Sequence, residues 1–166
     1  MGLIINKQIP MFMRGYPTVS DKYNVAGGIL AGATPVKFGD LVKFSATKGY
    51  FEAIGATDIT AQNVATTIGG FVVATNVKLN TEWPEGGVEV APNEAFNLLV
   101  NGFIAVELAT GATVAEIVPN GPVHVTAAGK ITTPTGTGHI AALPNVVFTG
   151  MTELHGTTRY AEVYVK

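Results

Sequence analysis

Cysteine is absent from this chain of 166 residues, and charged residues are scarce. Without a thiol, neither a disulfide framework nor a thiolate-bound metal site can form. Charged side chains make up 13% of the sequence, against roughly 25% in an ordinary soluble domain. The formal net charge is −2, so the chain lacks the clustered basic footprint that a phosphate backbone requires. We therefore expect no nucleic-acid partner.

Long apolar runs are also missing, although the mean hydropathy is +0.33. No run approaches the ~18 residues that a membrane-spanning helix requires, so we expect no membrane partner. A domain with so few charges can surround a large core with a coat of Thr, Asn and Ser. Alternatively, other subunits cover much of its surface.

Residue types that carry catalysis are few and poorly spaced. Neither Ser20 nor Ser45 lies in a Gly-x-Ser-x-Gly motif. His124, His139 and His155 lack the spacing of metal ligands on a helix, although the three rings could still meet in space to hold a metal. No glycine-rich stretch matches a phosphate-binding loop. The sequence thus predicts no catalytic residue, no metal and no cofactor, and a protein that is not an enzyme.

The residues that are abundant favour strands: Val, Ile, Thr and Phe form short runs between turns. Asn101-Gly102 separates two such runs, a pattern typical of a hairpin, although one continuous strand with a bulge at Gly102 is the alternative. We interpret 57–66 as a loop or one helical turn capped by Thr57 or Asp58. The spacing of turns predicts an all-β fold, a small antiparallel β-sandwich or barrel-like domain. Its predicted core comprises Val42, Phe44, Phe71, Val73, Leu98, Val100, Ile104, Val106 and Val163.

The first 24 residues are predicted to be an extended N-terminal arm ahead of a single β domain at 25–166. Pro10, Gly15 and Pro17 disfavour a helix there. The arm also carries large apolar and aromatic side chains, which typically anchor protein interfaces. The alternative is that the arm folds back and fills a gap in its own domain. The candidate interface residues are Ile9, Met11, Phe12, Met13, Arg14 and Tyr16.

Five parts of the chain carry a family resemblance: Met1–Gln8, Val36–Phe44, Gly69–Ala74, Pro119–Val125 with Gly129–Ile131, and Ala161–Val165. Together they resemble the opening, an early strand–turn–strand, a central strand, a later strand and the final strand of tailed-bacteriophage capsid cement (head decoration) proteins.

This resemblance implies a small β domain without catalytic residues that sits outside the phage head. It implies binding to the major capsid protein lattice, commonly as a homotrimer where hexamers meet, so as to brace the shell. The protein would be made in the host cytoplasm and end on the capsid exterior of the virion. Two other readings remain open: a tail-tube or baseplate subunit, or a carbohydrate-binding module centred on Trp83.

Overall fold

The computed structural model describes residues 14–15, 23–74 and 89–166. Nearly all the regular structure in these ranges is strand. The elements are β1 (Asn24–Ala31), β2 (Val36–Lys37), β3 (Leu41–Phe44), β4 (Tyr50–Ala53), α1 (Val64–Thr67), β5 (Ile68–Val73), β6 (Glu89–Val90), β7 (Ala95–Glu107), a 3-10 turn (Val114–Glu116), β8 (Pro122–Thr126), β9 (Ile131–Thr132), β10 (His139–His155) and β11 (Thr158–Val165). Within these described ranges, no helix is both long and apolar enough to span a membrane.

Nine strands form one sheet in the order β1-β4-β3-β5-β7-β11-β10-β8-β9, and β2 pairs separately with β6. Because β1 also pairs with β7, the first five strands of this order close into a barrel. The other half nearly closes as well, since Leu108, just after β7, forms a bridge with Ile131 of β9. The all-β, barrel-like prediction is confirmed. The sheet is mixed rather than purely antiparallel, because β1 and β4 run parallel.

β7 belongs to both halves of the sheet. Its first part pairs with β1 and β5, and its second part, from Gly102 onward, pairs with β11. The predicted hairpin at Asn101-Gly102 is therefore wrong, and the alternative of one continuous strand is correct, although its bulge lies at Val100 and not at Gly102. Asn24 and Val25 of β1 face Asn101 and Leu99, which leaves Val100 as the extra residue. The two parts of β7 therefore pair with other strands of the chain and not with each other.

Two apolar clusters fill the two halves. One lies inside the barrel and includes Val42, Val72 and Leu98. The other fills the second half and takes Leu41 and Phe71 from the outside of the barrel, so the two halves pack together through these strands. Of the predicted core residues, the following are buried: Val42, Phe71, Val73, Leu98, Ile104, Val106 and Val163.

Phe44 and Val100 were wrongly assigned to the core, since they are 55% and 53% exposed. Phe44 shares a strand side with Val42, but it ends β3 at the mouth of the barrel, where the interior stops. Val100 is turned outward by the bulge that it forms. The error at Phe44 arises because alternation does not show where a strand leaves the core, and the error at Val100 arises because a bulge interrupts the alternation.

The predicted helical turn is present as α1, but its predicted capping residues are wrong. Asn63 occupies the N-cap position without a side-chain capping bond, and it exchanges hydrogen bonds with Thr60 instead. Asp58 accepts a bond from the amide of Gly55, 2.7 Å away. It also binds Nζ of Lys43 at 2.8 Å. The Asp58 carboxylate, which the local sequence suggested as a helix cap, therefore forms an ion pair with Lys43 of β3 instead.

Candidate functional site

Arg14 and Gly15, from the predicted arm, lie between the barrel and the second half. The amide of Gly15 donates to the carbonyl of Ala105 in β7 at 2.8 Å, and its own carbonyl accepts from the amide of Ala74 at 2.8 Å. These two backbone bonds join the chain just after β5 to the second part of β7. We call Arg14–Gly15 the arm anchor.

Only glycine fits at the second position of the arm anchor. Gly15 is buried and has a φ of 72°, in the left-handed region that side chains disfavour. A Cβ there would lie 2.5 Å from the amide nitrogen of Gly39 and from the carbonyl carbon of Phe38. Glycine is therefore required both by backbone conformation and by the close approach of the turn after β2.

Arg14 fixes the arm anchor to the domain through two ion pairs. Its Nη2 lies 2.6 Å from Oδ1 of Asp40, its Nη1 binds Oε2 of Glu107, and its Nε donates to the carbonyl of Phe38 at 2.9 Å. The side chain is 11% exposed. Lys130 reaches the same Asp40 oxygen at 3.2 Å from the solvent side. A guanidinium with two carboxylates and a carbonyl is well satisfied, so it can remain in this junction at little cost.

The arm anchor bears on the two predictions made for the arm. At Arg14 the chain contacts its own domain, which favours the fold-back alternative at that residue. The other candidate interface residues, Ile9, Met11, Phe12, Met13 and Tyr16, lie outside the described residues, and their interface role stays a prediction. Trp83, the centre of the carbohydrate-binding alternative, also lies outside them.

An apolar groove lies along the same strands, β3, β5 and β7. Its volume is about 420 Å³, and the exposed Phe44 and Val100 line it together with Gly70, Leu143 and Val165. The arm anchor contacts Asp40, just before β3, and Ala74, just after β5, whereas the groove is lined by both ends of β3, Leu41 and Phe44. Sequence reasoning missed this surface because it placed Phe44 and Val100 in the core. Exposed apolar groups beside a groove are common where proteins bind one another.

The histidines do not assemble into a metal site. The rings of His124 and His139 lie 5.7 Å apart, while His155 packs against Tyr160 at the tip of the β10–β11 hairpin. Burial lowers the pKa of His124, and the neighbouring His139 lowers it further, against a smaller opposing effect of Glu116. Within the described residues, no cluster of three or more His, Cys, Asp or Glu residues has an arrangement that could hold a metal.

Comparison with known proteins gives a consistent result. The family described as "Structural cement protein (E217 gp24/Pam3 gp6)" matches residues 5–165. A chain from the structure entitled "The capsid of Myoviridae Phage XM1" superposes with a TM-score of 0.63 and 17% identity, over 97% of this chain and 95% of that chain. At this identity the superposition shows a shared fold. No curated protein matches the sequence. Because the family match covers nearly the whole chain, the protein belongs to the phage structural cement proteins and has a capsid-stabilising structural role.

Proposed function

We propose that this protein attaches to the outside of a phage head through its N-terminal arm and braces neighbouring capsid subunits by binding alone. The arm anchor is the observation that carries the proposal. Gly15 is bonded to Ala105 of β7 and to Ala74 just after β5, and Arg14 is held by Asp40 in the turn before β3 and by Glu107 at the end of β7. A force on the arm would therefore pass directly into the sheet.

The arm has enough length and apolar character for this task. Thirteen residues precede Arg14, and an extended chain spans at most ~3.3–3.6 Å per residue, so they reach roughly 43–47 Å. Ile9, Met11, Phe12 and Met13 would dock on the shell or on a neighbouring copy, with Tyr16 on the other side of the arm anchor. Several modest contacts on one lattice strengthen one another through effective concentration. The low charge of the chain lowers the desolvation cost of each contact.

The proposal extends to assembly and location. The protein would act as a homotrimer on the major capsid protein lattice, where hexamers meet, and would become part of the virion after synthesis in the host cytoplasm. Family membership supports the lattice partner. The proposal involves neither nucleic acid nor membrane, in keeping with a net charge of −2 and a sequence without long apolar runs.

A truncation tests the role of the arm, and the arm anchor dictates where to cut. Removing residues 1–16 would delete Arg14 and Gly15 and would disturb the fold itself. Removing residues 1–12 leaves Met13 as the first residue and keeps the arm anchor intact. We expect this variant to keep its circular dichroism and melting temperature and to lose co-sedimentation with capsids that lack the protein. Undiminished co-sedimentation would overturn the docking role of the arm.

The homotrimer has a separate test. Size-exclusion chromatography with light scattering on the full chain should give three times the mass of one chain. A monomer at all concentrations would contradict the trimer, and rings or tubes in the void volume would instead favour a tail or baseplate subunit.

A further inference from the structure

β10 has an open edge beyond Phe148. Up to that residue its outer edge is occupied, since the amide of Phe148 donates to Gly121 at 2.8 Å and its carbonyl accepts from Asn120 at 2.9 Å. Pairing with β8 ends at Val147. From Thr152 to His155 β10 is paired with β11 on one side only, and no described strand lies along the other side. Unprotected edges of this kind accept a strand from another chain.

The turn at the hairpin tip determines which backbone groups face the open edge. β10 and β11 are joined by Gly156-Thr157, and His155 faces Thr158. Because a two-residue turn closes on a hydrogen-bonded pair, His155 and Glu153 direct their backbone groups toward β11. Thr152 and Leu154 then direct theirs outward. Leu154 is also 54% exposed, so the edge offers both an apolar side chain and backbone donors and acceptors.

We propose that this edge pairs with the same edge of a second copy of the chain, antiparallel and about a two-fold axis at Leu154. The product is an isologous dimer with one sheet continuing through both copies. β10 runs from the folded body toward the tip, so pairing tip to tip places the two bodies at opposite ends. The pairing involves only 152–156 of each copy.

An axis within residues 152–154 allows three registers, centred on Thr152, Glu153 or Leu154. Residues opposite each other in an antiparallel pair share a sheet face, so a residue cannot lie opposite its own sequence neighbour in the second copy. The two-fold axis therefore passes beside a residue that lies opposite the same residue of the second copy. Centring on Glu153 sets two carboxylates against each other, which is unfavourable. Centring on Thr152 sets Leu154 against the partner's Gly150 and Met151 against the partner's Glu153, so neither apolar side chain meets another.

The register centred on Leu154 pairs apolar with apolar side chains and an acidic side chain with an imidazole. Leu154 meets the partner's Leu154, and Glu153 meets the partner's His155 on each side of the axis. Within one chain Oε2 of Glu153 already lies 3.1 Å from Nε2 of His155, without the alignment of a hydrogen bond, so the two groups share a face. An imidazole N–H and a carboxylate that face each other on adjacent strands can form a hydrogen bond, which stabilises pairing. This complementarity favours a second copy over an unrelated strand.

The contact is small and should be weak in solution. Five residues per copy bury less than the ~1,200 Å² that marks the lower limit of stable interfaces. On a lattice that holds many copies at fixed spacing, the same contact would be strengthened by effective concentration. The edge would link copies that the capsid has already placed side by side, and it is compatible with a threefold contact elsewhere on the surface.

A cysteine scan tests the register directly, because the chain has no cysteine of its own. The variants are Thr152→Cys, Glu153→Cys and Leu154→Cys, with Met151→Cys as the exposed control. In the proposed dimer the two Cα atoms at 154 lie ~5.5 Å apart, within the range of a disulfide. Under mild oxidation Leu154→Cys should form covalent dimers about tenfold faster than the other three, since a docked pair raises the effective thiol concentration. Equal rates, or a fastest rate at 152 or 153, would overturn the proposal.

A non-covalent measurement gives a second readout. Sedimentation velocity should show concentration-dependent association of the full chain beyond its basal form. Leu154→Lys should remove that association, while Met151→Lys, just outside the pairing residues, should keep it. Association unaffected by Leu154→Lys would contradict the edge dimer. Both variants retain the arm, so failure here leaves arm docking standing, and failure of the truncation test leaves the edge dimer standing.

Discussion

Gly28 of β1 lies against the ring of Phe51 in β4, so closely that a Cβ on Gly28 would stand 2.6 Å from Cδ2 of the ring. A Cβ on Gly69 of β5 would likewise stand 2.6 Å from Cδ1, at the opposite edge of the same ring. Phe96 adds an edge-on contact with a centroid distance of 5.9 Å. The ring thus occupies a slot whose two walls are bare backbone, at the mouth of the barrel.

Gly28→Ala should destabilise the protein, because the added methyl group overlaps the Phe51 ring and the flanking glycine leaves the ring nowhere to move. Overpacking of this kind costs about 1–3 kcal/mol. Gly27→Ala is the matched control, since nothing lies within 4 Å of its Cβ position. Urea denaturation of the two variants measures the difference. Equal stabilities would show that the slot readily widens.

Gly15→Ala should destabilise the protein more than Gly49→Ala. Both glycines have positive φ, 72° and 83°, so both substitutions carry the same kind of backbone strain, about 1–2 kcal/mol. Gly49 has open space around its Cβ position, whereas Gly15 faces backbone atoms at 2.5 Å. The difference between the two melting temperatures therefore isolates the cost of displacing the arm anchor. A larger loss for Gly49→Ala would contradict the close packing at Gly15.

Arg14→Met should cost about 1–3 kcal/mol, because it leaves Asp40 and Glu107 without their cation in a half-buried junction. The figure is below that of a fully buried pair, since these carboxylates are 21% and 37% exposed. Lys130→Ala, which removes a side chain that is 54% exposed from the same Asp40, should cost under about 1 kcal/mol. Arg14→Lys should restore stability only in part, because an ammonium cannot bind both carboxylates and the carbonyl of Phe38 as a planar fork does. Full restoration by lysine would show that charge alone matters.

Stability should decline as the pH falls below about 6.5, the ordinary pKa of histidine. Burial lowers the pKa of His124 in the folded chain, so the unfolded chain binds the proton first and unfolding becomes easier. The decline begins at the ordinary pKa and ends below the lowered one. His124→Gln should flatten the curve in this window, measured as melting temperature from pH 7.5 to 5. An unchanged slope in the variant would assign the decline to other groups.

Asp58 should affect the stability of the protein at a lower pH than His124 does. Its hydrogen bond from Lys43 lowers the pKa of this carboxyl, and the amide of Gly55 lowers it further. The stabilisation is present above the ordinary pKa of 3.8 and disappears as the pH falls through the lowered value. Lys43→Met should therefore lose stability at neutral pH and approach the unmodified protein under strong acid. A constant difference across that range would contradict the ion pair.

The parts of this fold that the sequence predicted depend on local patterns. Strand composition and turn residues indicated an all-β barrel-like domain, and quoted segments such as Val36–Phe44 indicated the cement family, which is confirmed. Val42 and Ile104 were assigned to the core correctly because strand alternation holds in the middle of an element.

The errors depend on pairing between distant residues. Asn101-Gly102 has the local form of a hairpin, but Leu99 and Ile104 each gain a partner from another strand, and these long-range pairs prevail over the local turn preference. The arm anchor has no local signature at all, since Arg14 meets Asp40 and Glu107 across 26 and 93 residues of sequence. His139 approaches His124 because β8 pairs with β10, and the spacing of the two histidines in the sequence does not indicate that pairing.

β7 gives the fold a mechanical property. One continuous strand crosses from the barrel to the second half, so tension between the halves is carried along a covalent backbone. A connection made only of hydrogen bonds could instead be unzipped one rung at a time. A capsid-stabilising protein that is pulled between two contacts on a shell would load β7 in this way. Such a force would pull β7 along its own axis, so its hydrogen bonds to the neighbouring strands would bear the load together. The two halves would then yield as one unit.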